Sequence, residues 1–461
     1  MAAKFGTSGL RGLVTELSDD VVADYVSAFA RACPTGAGVY VGRDLRDSSP
    51  AIAAQVRRTL AGAGLSATDC GVLPTPALAL AATRSGAAAI MVTGSHIPAD
   101  RNGLKFYTPH GEITKANETA ILGALGAAFP DGEDPGAGEA SAEQAYGARY
   151  VDAFGEALAG LRVGIYQHSS VARDLMVTVV EALGGEAITL ARSDSFVPVD
   201  TEAVDADTRA MLAQWCAENR LDTVISTDGD ADRPMVTDQT GRIVPGDVLG
   251  PLTARALGAR IVCTPVSSNT LVDAVPGFDR ICRTRIGSPF VIEAMEAVLD
   301  SDPAARVVGY EANGGFLLGF EADGPAGRLD PLPTRDCLLP ILATLSQAKD
   351  AGGLAALVAA LPKRFTAADR IAGIPSERSQ SFIAGLTDDR ARRDAFFTDP
   401  GSEAWVDMTD GLRVTFANGE IVHLRPSGNA PEFRCYAEAD DPQRAEVLVA
   451  SYLEKLRTEL A

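Results

Sequence analysis

The sequence predicts an α/β protein, with three α/β units followed by a smaller α+β unit at the C-terminus. Short apolar strands alternate with amphipathic helices through most of the chain, as they do in α/β folds. Three of these strands run directly into polar loops that contain glycine. Towards the C-terminus the pattern changes to two strands joined by an Asn-Gly turn and a terminal helix. With 461 residues, the chain is long enough for about three or four domains.

In the first unit, Ser18 is predicted to cap a helix, because its side chain can accept a hydrogen bond from the first turn. The apolar face of this helix consists of Val21, Val22, Tyr25, Val26 and Phe29. The other predicted elements are a strand over Val39–Val41, a helix that begins at Ser49-Pro50, with Ile52, Val56 and Leu60 on its inner face, and a buried strand over Ala88–Val92. The last strand leads into the loop Thr93-Gly94-Ser95-His96. The acidic, glycine-rich stretch from Asp131 to Glu139 is predicted to be a linker.

The second and third units repeat this pattern. In the second, the predicted strands are Val163–Tyr166, Ala187–Leu190 and Asp222–Ser226, and the helices are Ala172–Leu183 and Thr208–Asn219. In the third, the predicted strands are Ile261–Thr264 and Arg306–Gly309, and the helices are Asp247–Leu257 and Pro289–Leu299. Because α/β sheets bind ligands beyond the carboxyl ends of their strands, we expect the loops after strands 88–92, 222–226 and 306–309 to line one site.

The C-terminal unit has a different organisation. Strands Leu412–Ala417 and Glu420–Leu424 flank Asn418-Gly419, and a helix follows over Pro442–Leu456. An Asn-Gly pair between two such strands is a strong hairpin signal. The predicted domain boundaries are therefore 1–140, 141–246, 247–362 and 363–461.

Composition excludes several classes of protein. There are 61 acidic and 41 basic residues, and the resulting charge of −20 makes nucleic acid an unlikely general partner. The longest apolar candidate, 76–92, is interrupted by Arg84 and is too short to span a membrane. The N-terminus lacks the apolar stretch of a signal peptide, and the seven cysteines form no CxxC pair. We therefore expect a cytoplasmic protein with reduced thiols and no membrane partner.

The loop Asp228-Gly229-Asp230-Ala231-Asp232 places three carboxylates at alternate positions. Carboxylate oxygens are hard ligands that suit Mg²⁺. A calcium EF-hand would need Gly and Glu where this chain has Arg233 and Gln239. A solvated acidic turn is the remaining alternative, but Arg233 beside the acids favours a site for a metal and a phosphate, because a guanidinium can hold a phosphoryl oxygen.

Ser95 offers a hydroxyl at the end of a predicted buried strand. It is either a nucleophile that carries a phosphoryl group or an ordinary turn residue. A hydrolase GxSxG motif is absent, and His96 is predicted to be a poor base for Ser95, because neighbouring side chains usually diverge. The segment Arg101–Lys105 brings Lys105 back into the same loop region.

Three further segments carry polar groups. Arg425-Pro426-Ser427-Gly428-Asn429-Ala430-Pro431, with Arg434 beyond it, is either a phosphate cradle or a plain turn. The loop Thr7–Gly12, with Arg11, is a weaker example of the same kind. Glu311 and Asn313 could bind vicinal sugar hydroxyls, although such a pair is too common to be specific.

Together these segments resemble the α-D-phosphohexomutase family, the phosphoglucomutases and phosphomannomutases. Six motifs follow the family's order, and no single one is as specific as their sequence along the chain. They are Phe5–Gly12, Thr93–Pro98, Asn102–Lys105, Asp228–Arg233, Glu311–Gly314 and Arg425–Gly428.

The resemblance implies three related α/β domains and a smaller α+β C-terminal domain around a central cleft. It also implies that hexose 6-phosphate and hexose 1-phosphate interconvert through a phosphoserine at Ser95 and a hexose 1,6-bisphosphate. In this scheme Mg²⁺ is held by Ser95, Asp228, Asp230 and Asp232. Lys105 helps to move a proton, and Arg11 adds charge near Ser95. The substrate is bound by Arg233, Arg285, Glu311, Asn313, Arg425, Ser427, Gly428 and Asn429.

The chain departs from the family pattern at three places. Asn429-Ala430 stands where members often have Thr-Glu, and Arg285 takes the place of a usual lysine. In the sugar loop, many members carry Ser-Gly-His, whereas this chain has Asn313-Gly314-Gly315. The residue that replaces this histidine is left open by the sequence.

Mannose is the preferred substrate in this interpretation, slightly ahead of glucose, with glucosamine less expected. Two alternatives remain: a Mg²⁺-dependent sugar phosphatase, in which water accepts the phosphoryl group, and a sugar-phosphate sensor without catalysis. The sequence does not give the oligomeric state.

Overall fold

The computed structural model describes residues 3–6, 9–134, 136, 138, 141–427 and 432–460. The chain divides into two compact units. Unit 1 comprises Met1–Cys263, Gly277–Arg280 and Gly287–Val358, and unit 2 comprises Thr264–Pro276, Ile281–Ile286 and Ala359–Ala461. The four predicted domain boundaries stay a prediction, whereas the predicted succession of three α/β sections and an α+β section is confirmed by the elements below.

The first α/β section is built on a mixed sheet. Its strands are β1 (Lys4–Gly6), β2 (Gly9–Leu13), β3 (Val39–Arg43), β4 (Ala67–Val72), β5 (Ala88–Val92), β6 (Arg101–Thr108) and β7 (Gly111–Glu112). Its helices are α1 (Asp19–Ala32), α2 (Ser49–Gly62), α3 (Thr75–Arg84) and α4 (Lys115–Gly123). The strand order is β1, β2, β6, β5, β3, β4, with β7 paired to β6. As predicted, Ser18 caps α1 and β5 is buried along its whole length.

Two segments that were predicted to be loops contain strands. Arg101–Lys105 forms the first part of β6, antiparallel to β2 and β5, and Gly9–Gly12 lies within β2. The buried polar group of β6 is satisfied, because the Asn102 amide donates to Ser48 Oγ and Ser49 Oγ at 2.8 and 2.9 Å. Gly103 allows β2 to approach, since a Cβ there would lie 2.2 Å from the Leu10 carbonyl oxygen.

The second α/β section follows the predicted linker. Of Asp131–Glu139, the described residues form no helix or strand, and Asp134 pairs with Arg57 of α2 at 2.8 Å. The helices are α5 (Ser141–Phe154), α6 (Arg173–Ala182) and α7 (Ala206–Asn219). The strands are β8 (Arg162–His168), β9 (Glu186–Arg192), β10 (Thr223–Thr227), β11 (Pro234–Thr237) and β12 (Ile243–Val244), in the order β12, β11, β10, β8, β9. Every predicted element of this section is confirmed to within a few residues at its ends.

The third α/β section repeats the arrangement. Its strands are β13 (Ile261–Pro265), β14 (Arg280–Thr284), β15 (Val307–Tyr310), β16 (Phe316–Leu318), β17 (Ala322–Asp323), β18 (Arg328–Leu329) and β19 (Leu332–Asp336). Its helices are α8 (Gly246–Ala256), α9 (Leu271–Ala274), α10 (Ser288–Ser301), α11 (Leu338–Ala351) and α12 (Leu354–Ala359). Strands β13, β15, β16 and β19 are neighbours in that order, and β15 runs parallel to β13.

The C-terminal section is an antiparallel sheet covered by helices. Its strands are β20 (Phe365–Ala372), β21 (Glu403–Asp407), β22 (Leu412–Phe416), β23 (Ile421–Pro426) and β24 (Glu432–Ala439), in the order β20, β24, β23, β22, β21. The helices are α13 (Ser376–Asp388), α14 (Arg390–Phe396) and α15 (Pro442–Glu459). The predicted Asn-Gly hairpin joins β22 and β23, and Gly419 takes the left-handed conformation with φ +84°.

Two expectations from composition can be compared with the fold. The cysteines are free thiols, and all of them except Cys282 are buried. Among the residues that the structure describes, no helix has both the length and the apolar character needed to cross a membrane.

Candidate active site

The loop after β5 presents Ser95 to the loop after β10. Ser95 is buried, and its φ of +53° lies in the left-handed region that residues other than glycine rarely adopt. Its Oγ donates a hydrogen bond of 2.5 Å to Oδ2 of Asp228. The loops that follow two different sheets therefore meet, as the rule for strand ends predicts.

His96 lies closer to Ser95 than predicted. Its Nδ1 is 3.3 Å from Ser95 Oγ, so the expected divergence of the two side chains is wrong; the left-handed backbone of Ser95 accounts for the difference. The same Nδ1 accepts a hydrogen bond of 2.9 Å from Arg233 Nη1. Burial, followed by the charges of Arg233 and Arg11, lowers the pKa of His96 far below its usual value. His96 is therefore a neutral imidazole.

A buried arginine that sequence reasoning missed fixes the shape of the serine loop. Arg46 is 1% exposed and stacks on the ring of Phe196, with Cζ 3.9 Å from the ring centroid. Its two Nη atoms donate, at 2.6–3.0 Å, to the main-chain oxygens of Ser95, Ile97, Pro98 and Arg101. These bonds hold the strained backbone of Ser95 in place.

Asp44 is the counter-ion of Arg46 and holds the start of the same loop. Its carboxylate accepts from Arg46 Nε at 3.1 Å, from Thr93 Oγ1 at 2.8 Å and from Ser49 Oγ at 2.5 Å. A signal was available in the sequence, because Asp44 and Arg46 come directly after β3. Strand β3 is parallel to β5, and both strands therefore end at one edge of the sheet.

Gly94→Ala is expected to destabilise the protein by about 1–3 kcal/mol and to lower turnover about tenfold, through overpacking. A Cβ at position 94 would lie 2.6 Å from Arg46 Cζ and 2.7 Å from Nε, so the guanidinium must move away from the loop. Urea denaturation and steady-state turnover check this. The control is Gly123→Ala in α4, where a Cβ meets nothing within 4 Å. Equal denaturation midpoints for the two variants would contradict it.

The loop after β10 holds a compact carboxylate cluster. Asp228, Asp230 and Asp232 are fully buried, and each offers a carboxylate oxygen that lies within 4.8 Å of the other two. Within the described part of the chain, Oδ1 of Asp230 and Oδ1 of Asp232 have no hydrogen-bond partner. Buried carboxylate oxygens without partners are costly, and they are the hard donors that Mg²⁺ prefers. The residues present therefore fit a divalent cation.

The surroundings of Asp228 and Asp230 shift the pKa values of these two carboxylates in opposite directions. Burial, and then the charges of Asp230 and Asp232, raise the pKa of Asp228 well above its usual value. Burial alone would also raise the pKa of Asp230, but Lys105, Thr75 and Arg335 together leave this pKa below the usual range. Thr75, a second residue missed in the sequence, donates to Oδ2 of Asp230 at 2.6 Å.

Cations surround the cluster. Lys105 on β6 donates from Nζ to Oδ2 of Asp230 and to Oδ2 of Asp232, each at 2.6 Å. Arg233 Nε lies 4.0 Å from Asp228 Oδ2. Arg11 on β2 is partly buried and has no hydrogen-bond partner among the described residues; burial and the charge of Arg233 lower its pKa to about 10. Lys105 and Arg233 offset the charge of the three carboxylates, and Arg11 adds a cation that can bind an anionic ligand.

The loop after β15 brings Glu311 and Asn313 to the same unit. Both side chains are buried, and Asn313 Oδ1 accepts from the Gly315 backbone N–H at 2.9 Å. Burial raises the pKa of Glu311. Arg335 on β19, which the sequence did not single out, lies 3.7 Å from Glu311 Oε2 and 3.1 Å from Asp232 Oδ2. The three predicted loops are therefore brought together in unit 1.

The remaining predicted site residues lie in unit 2 or outside the described residues. Arg425 pairs with Asp410 at 3.0 Å, and the other oxygen of Asp410 accepts from the Ile286 backbone N–H at 2.9 Å, next to the exposed Arg285. Ser427 is buried. Gly428 and Asn429 lie outside the described residues.

Four domain descriptions of one family match the chain. They are phosphoglucomutase/phosphomannomutase alpha/beta/alpha domain I over residues 2–128, domain II over 147–241, domain III over 245–365 and the C-terminal domain over 357–455. A phosphomannomutase of Sinorhizobium fredii is 47% identical and covers 100% of both chains. One of Salmonella muenchen is 42% identical and covers 99% of this chain and 96% of its own. The crystal structure of a phosphoglucomutase/phosphomannomutase family protein from Burkholderia thailandensis has the same fold, with a TM-score of 0.75 at 20% identity over 98% of this chain and 96% of that one.

Proposed function

Because the chain belongs to the phosphoglucomutase/phosphomannomutase family, we propose that it is a phosphomannomutase, an isomerase that interconverts mannose 6-phosphate and mannose 1-phosphate. The observation that carries this proposal is the buried Ser95 hydroxyl bonded to Asp228 within a carboxylate cluster ringed by cations. The relatives at 47% and 42% identity support mannose as the sugar. The partners in this proposal are small hexose phosphates, and the compartment is the cytoplasm, in keeping with the free thiols.

Ser95 carries the phosphoryl group of the resting enzyme. When the free hydroxyl of a hexose monophosphate attacks, its oxygen bonds to phosphorus as the P–Oγ bond breaks. The proton of the attacking hydroxyl is transferred, so that Ser95 leaves as a neutral hydroxyl. The product is a hexose 1,6-bisphosphate. After this intermediate turns over, Ser95 Oγ takes its other phosphoryl group, and the isomerised monophosphate is released.

Asp228, Asp230, Asp232 and the oxygen of Ser95 would hold Mg²⁺. When bound, this ion supplies positive charge that stabilises the transferring phosphoryl group. The unpartnered oxygens of Asp230 and Asp232 support this assignment. Lys105 offsets the charge of Asp230 and Asp232 through two hydrogen bonds of 2.6 Å. We also assign to Lys105 the transfer of the hydroxyl proton.

The other cations and the polar loops bind the substrate. Arg233, which is hydrogen-bonded to His96 at 2.9 Å, stabilises the transferring group, and Arg11 adds charge beside it. Glu311 and Asn313 recognise the sugar hydroxyls. Arg425, Ser427 and Asn429 are proposed to hold the phosphate that is not transferred, and Arg285 and Gly428 to take part in substrate binding.

Isomerisation assays on mannose 1-phosphate and glucose 1-phosphate, run side by side with Mg²⁺ and a trace of hexose 1,6-bisphosphate, test the proposal. We expect both sugars to be converted, with a higher kcat/KM for mannose 1-phosphate. A higher value for glucose would make the protein mainly a phosphoglucomutase. Release of inorganic phosphate without isomerisation would establish the phosphatase alternative. If neither sugar reacted, the sugar-phosphate sensor without catalysis would be the remaining interpretation.

A further inference from the structure

Arg335 lies where the three α/β sections meet. The side chain is 3% exposed, and its guanidinium faces one carboxylate from each section. The distances are 3.7 Å from Nε to Glu112 Oε1, 3.1 Å from Nη2 to Asp232 Oδ2 and 3.7 Å from Nη1 to Glu311 Oε2. One planar cation thus connects the sugar loop with the carboxylate cluster and with β7.

The stem of Arg335 fills the space beside Gly315 of the sugar loop. A Cβ at position 315 would lie 2.9 Å from Arg335 Cγ and 3.0 Å from Cδ. The backbone of Gly315 is not left-handed, so a side chain there is opposed by contact with Arg335 rather than by backbone strain. The glycine at position 315 therefore leaves the room that the stem of Arg335 occupies.

The guanidinium has donors to offer to a ligand. Among the described residues, Nε and Nη2 of Arg335 and Oε2 of Glu311 are buried without a hydrogen-bond partner. The contacts of Nε and Nη1 are 3.7 Å, which is too long for hydrogen bonds, and Nη2, 3.1 Å from Asp232 Oδ2, forms an ion pair without the geometry of a hydrogen bond. Leaving such groups unpaired in the interior costs free energy, and a bound polar ligand that supplies the partners recovers it.

Resting on the proposed function, we propose that Arg335 is a specificity-determining residue that donates hydrogen bonds to a hydroxyl of the hexose phosphate held by Glu311. Its stem fills the space beside Gly315 that a side chain at position 315 would need. Glu112 keeps the guanidinium in place, because its carboxylate is itself held by Ser288 Oγ and Thr334 Oγ1, each at 2.9 Å.

A double-mutant cycle tests the pairing of positions 315 and 335. The Kd of mannose 1-phosphate is measured by calorimetry without Mg²⁺, and KM and kcat are measured separately. Arg335→Ala is expected to raise Kd and KM about tenfold, with a smaller change in kcat. Gly315→His alone is expected to weaken binding similarly, because the imidazole meets Arg335. The double variant Gly315→His/Arg335→Ala is expected to bind more tightly than either single variant.

Controls separate this role from a structural one. Arg328→Ala removes an arginine that is 71% exposed on β18 and is expected to leave Kd unchanged. Arg335→Lys keeps the charge without the planar fork, so it is expected to fold with a near-native melting temperature and still bind more weakly than wild type. This variant decides the matter if Arg335→Ala does not fold.

Wild-type affinity in Arg335→Lys, or a double variant as weak as the product of its single changes, would overturn the proposal. Failure of the proposed function has a different signature. If the wild-type protein bound mannose 1-phosphate without isomerising it, the mutase assignment would be wrong. The Kd values of the double-mutant cycle could still be compared.

Discussion

Ser95→Ala is expected to lower turnover of mannose 1-phosphate by on the order of 10⁴-fold or more, as the loss of a covalent nucleophile does in other enzymes. The variant has no oxygen on which to carry the phosphoryl group. Substrate binding is expected to stay within a few-fold of wild type, because the binding cations are untouched. Turnover, and the Kd of mannose 1-phosphate from calorimetry, check the two expectations.

The same experiment can locate the phosphoryl group. After incubation with hexose 1,6-bisphosphate, mass spectrometry should find one phosphorylated peptide, containing Ser95, which is absent in Ser95→Ala. Ser451→Ala, at an exposed position of α15, is the matched control and should keep both activity and the phosphopeptide. Because the alanine leaves Asp228 Oδ2 without its donor, the melting temperature is measured as well. Turnover near the wild-type rate in Ser95→Ala would exclude the phosphoserine mechanism.

Asp230→Asn is expected to raise the Mg²⁺ concentration for half-maximal activity by at least about 10- to 100-fold and to lower the maximal rate as well. In the wild type, Oδ2 accepts from Lys105 and Thr75, whereas Oδ1 has no partner. The amide oxygen is therefore expected to keep the position of Oδ2, and the amide nitrogen to take that of Oδ1. An N–H group then points to where a cation needs an oxygen.

Mg²⁺ titrations of activity, with calorimetry of Mg²⁺ binding to the isolated protein, measure this effect. Asp207→Asn makes the same chemical change at an exposed position in the first turn of α7 and should leave the titration unchanged. A wild-type titration curve for Asp230→Asn would remove Asp230 from the proposed ligand set.

The parts of the site that could be predicted from the sequence are those in which residue type and strand position agree. Ser95 and Asp228 each follow a buried strand of a different sheet and meet at 2.5 Å, as expected for loops beyond the carboxyl ends of strands that line one site. The metal loop was predictable from its residue types, since three carboxylates at alternate positions are unusual after an apolar strand. The tail of the phosphate loop, Gly428 and Asn429, lies outside the described residues and stays a prediction.

What the sequence did not reveal depends on contacts between distant segments. Arg46 reads as an ordinary turn arginine, and its burial depends on the serine loop that it binds and on packing against Phe196 in the second section. Arg335 reads as a strand residue among polar neighbours, and its role depends on Glu112 and Glu311, which lie far away along the chain. Segment 101–105 was misassigned as a loop because Asn102 and Lys105 are polar, although their partners make them stable in a buried strand.

The hydrogen bonds from Arg46 to the main chain determine which substitutions affect the shape of the serine loop. A guanidinium that binds main-chain oxygens is indifferent to side chains, because every amino acid carries the same carbonyl group. These bonds place no requirement of their own on the side chains of residues 97, 98 and 101, whereas Arg46 depends on Gly94, because a Cβ at position 94 would displace the guanidinium. The backbone shape that positions Ser95 therefore depends on Arg46, which follows β3 and lies outside the loop that carries the serine.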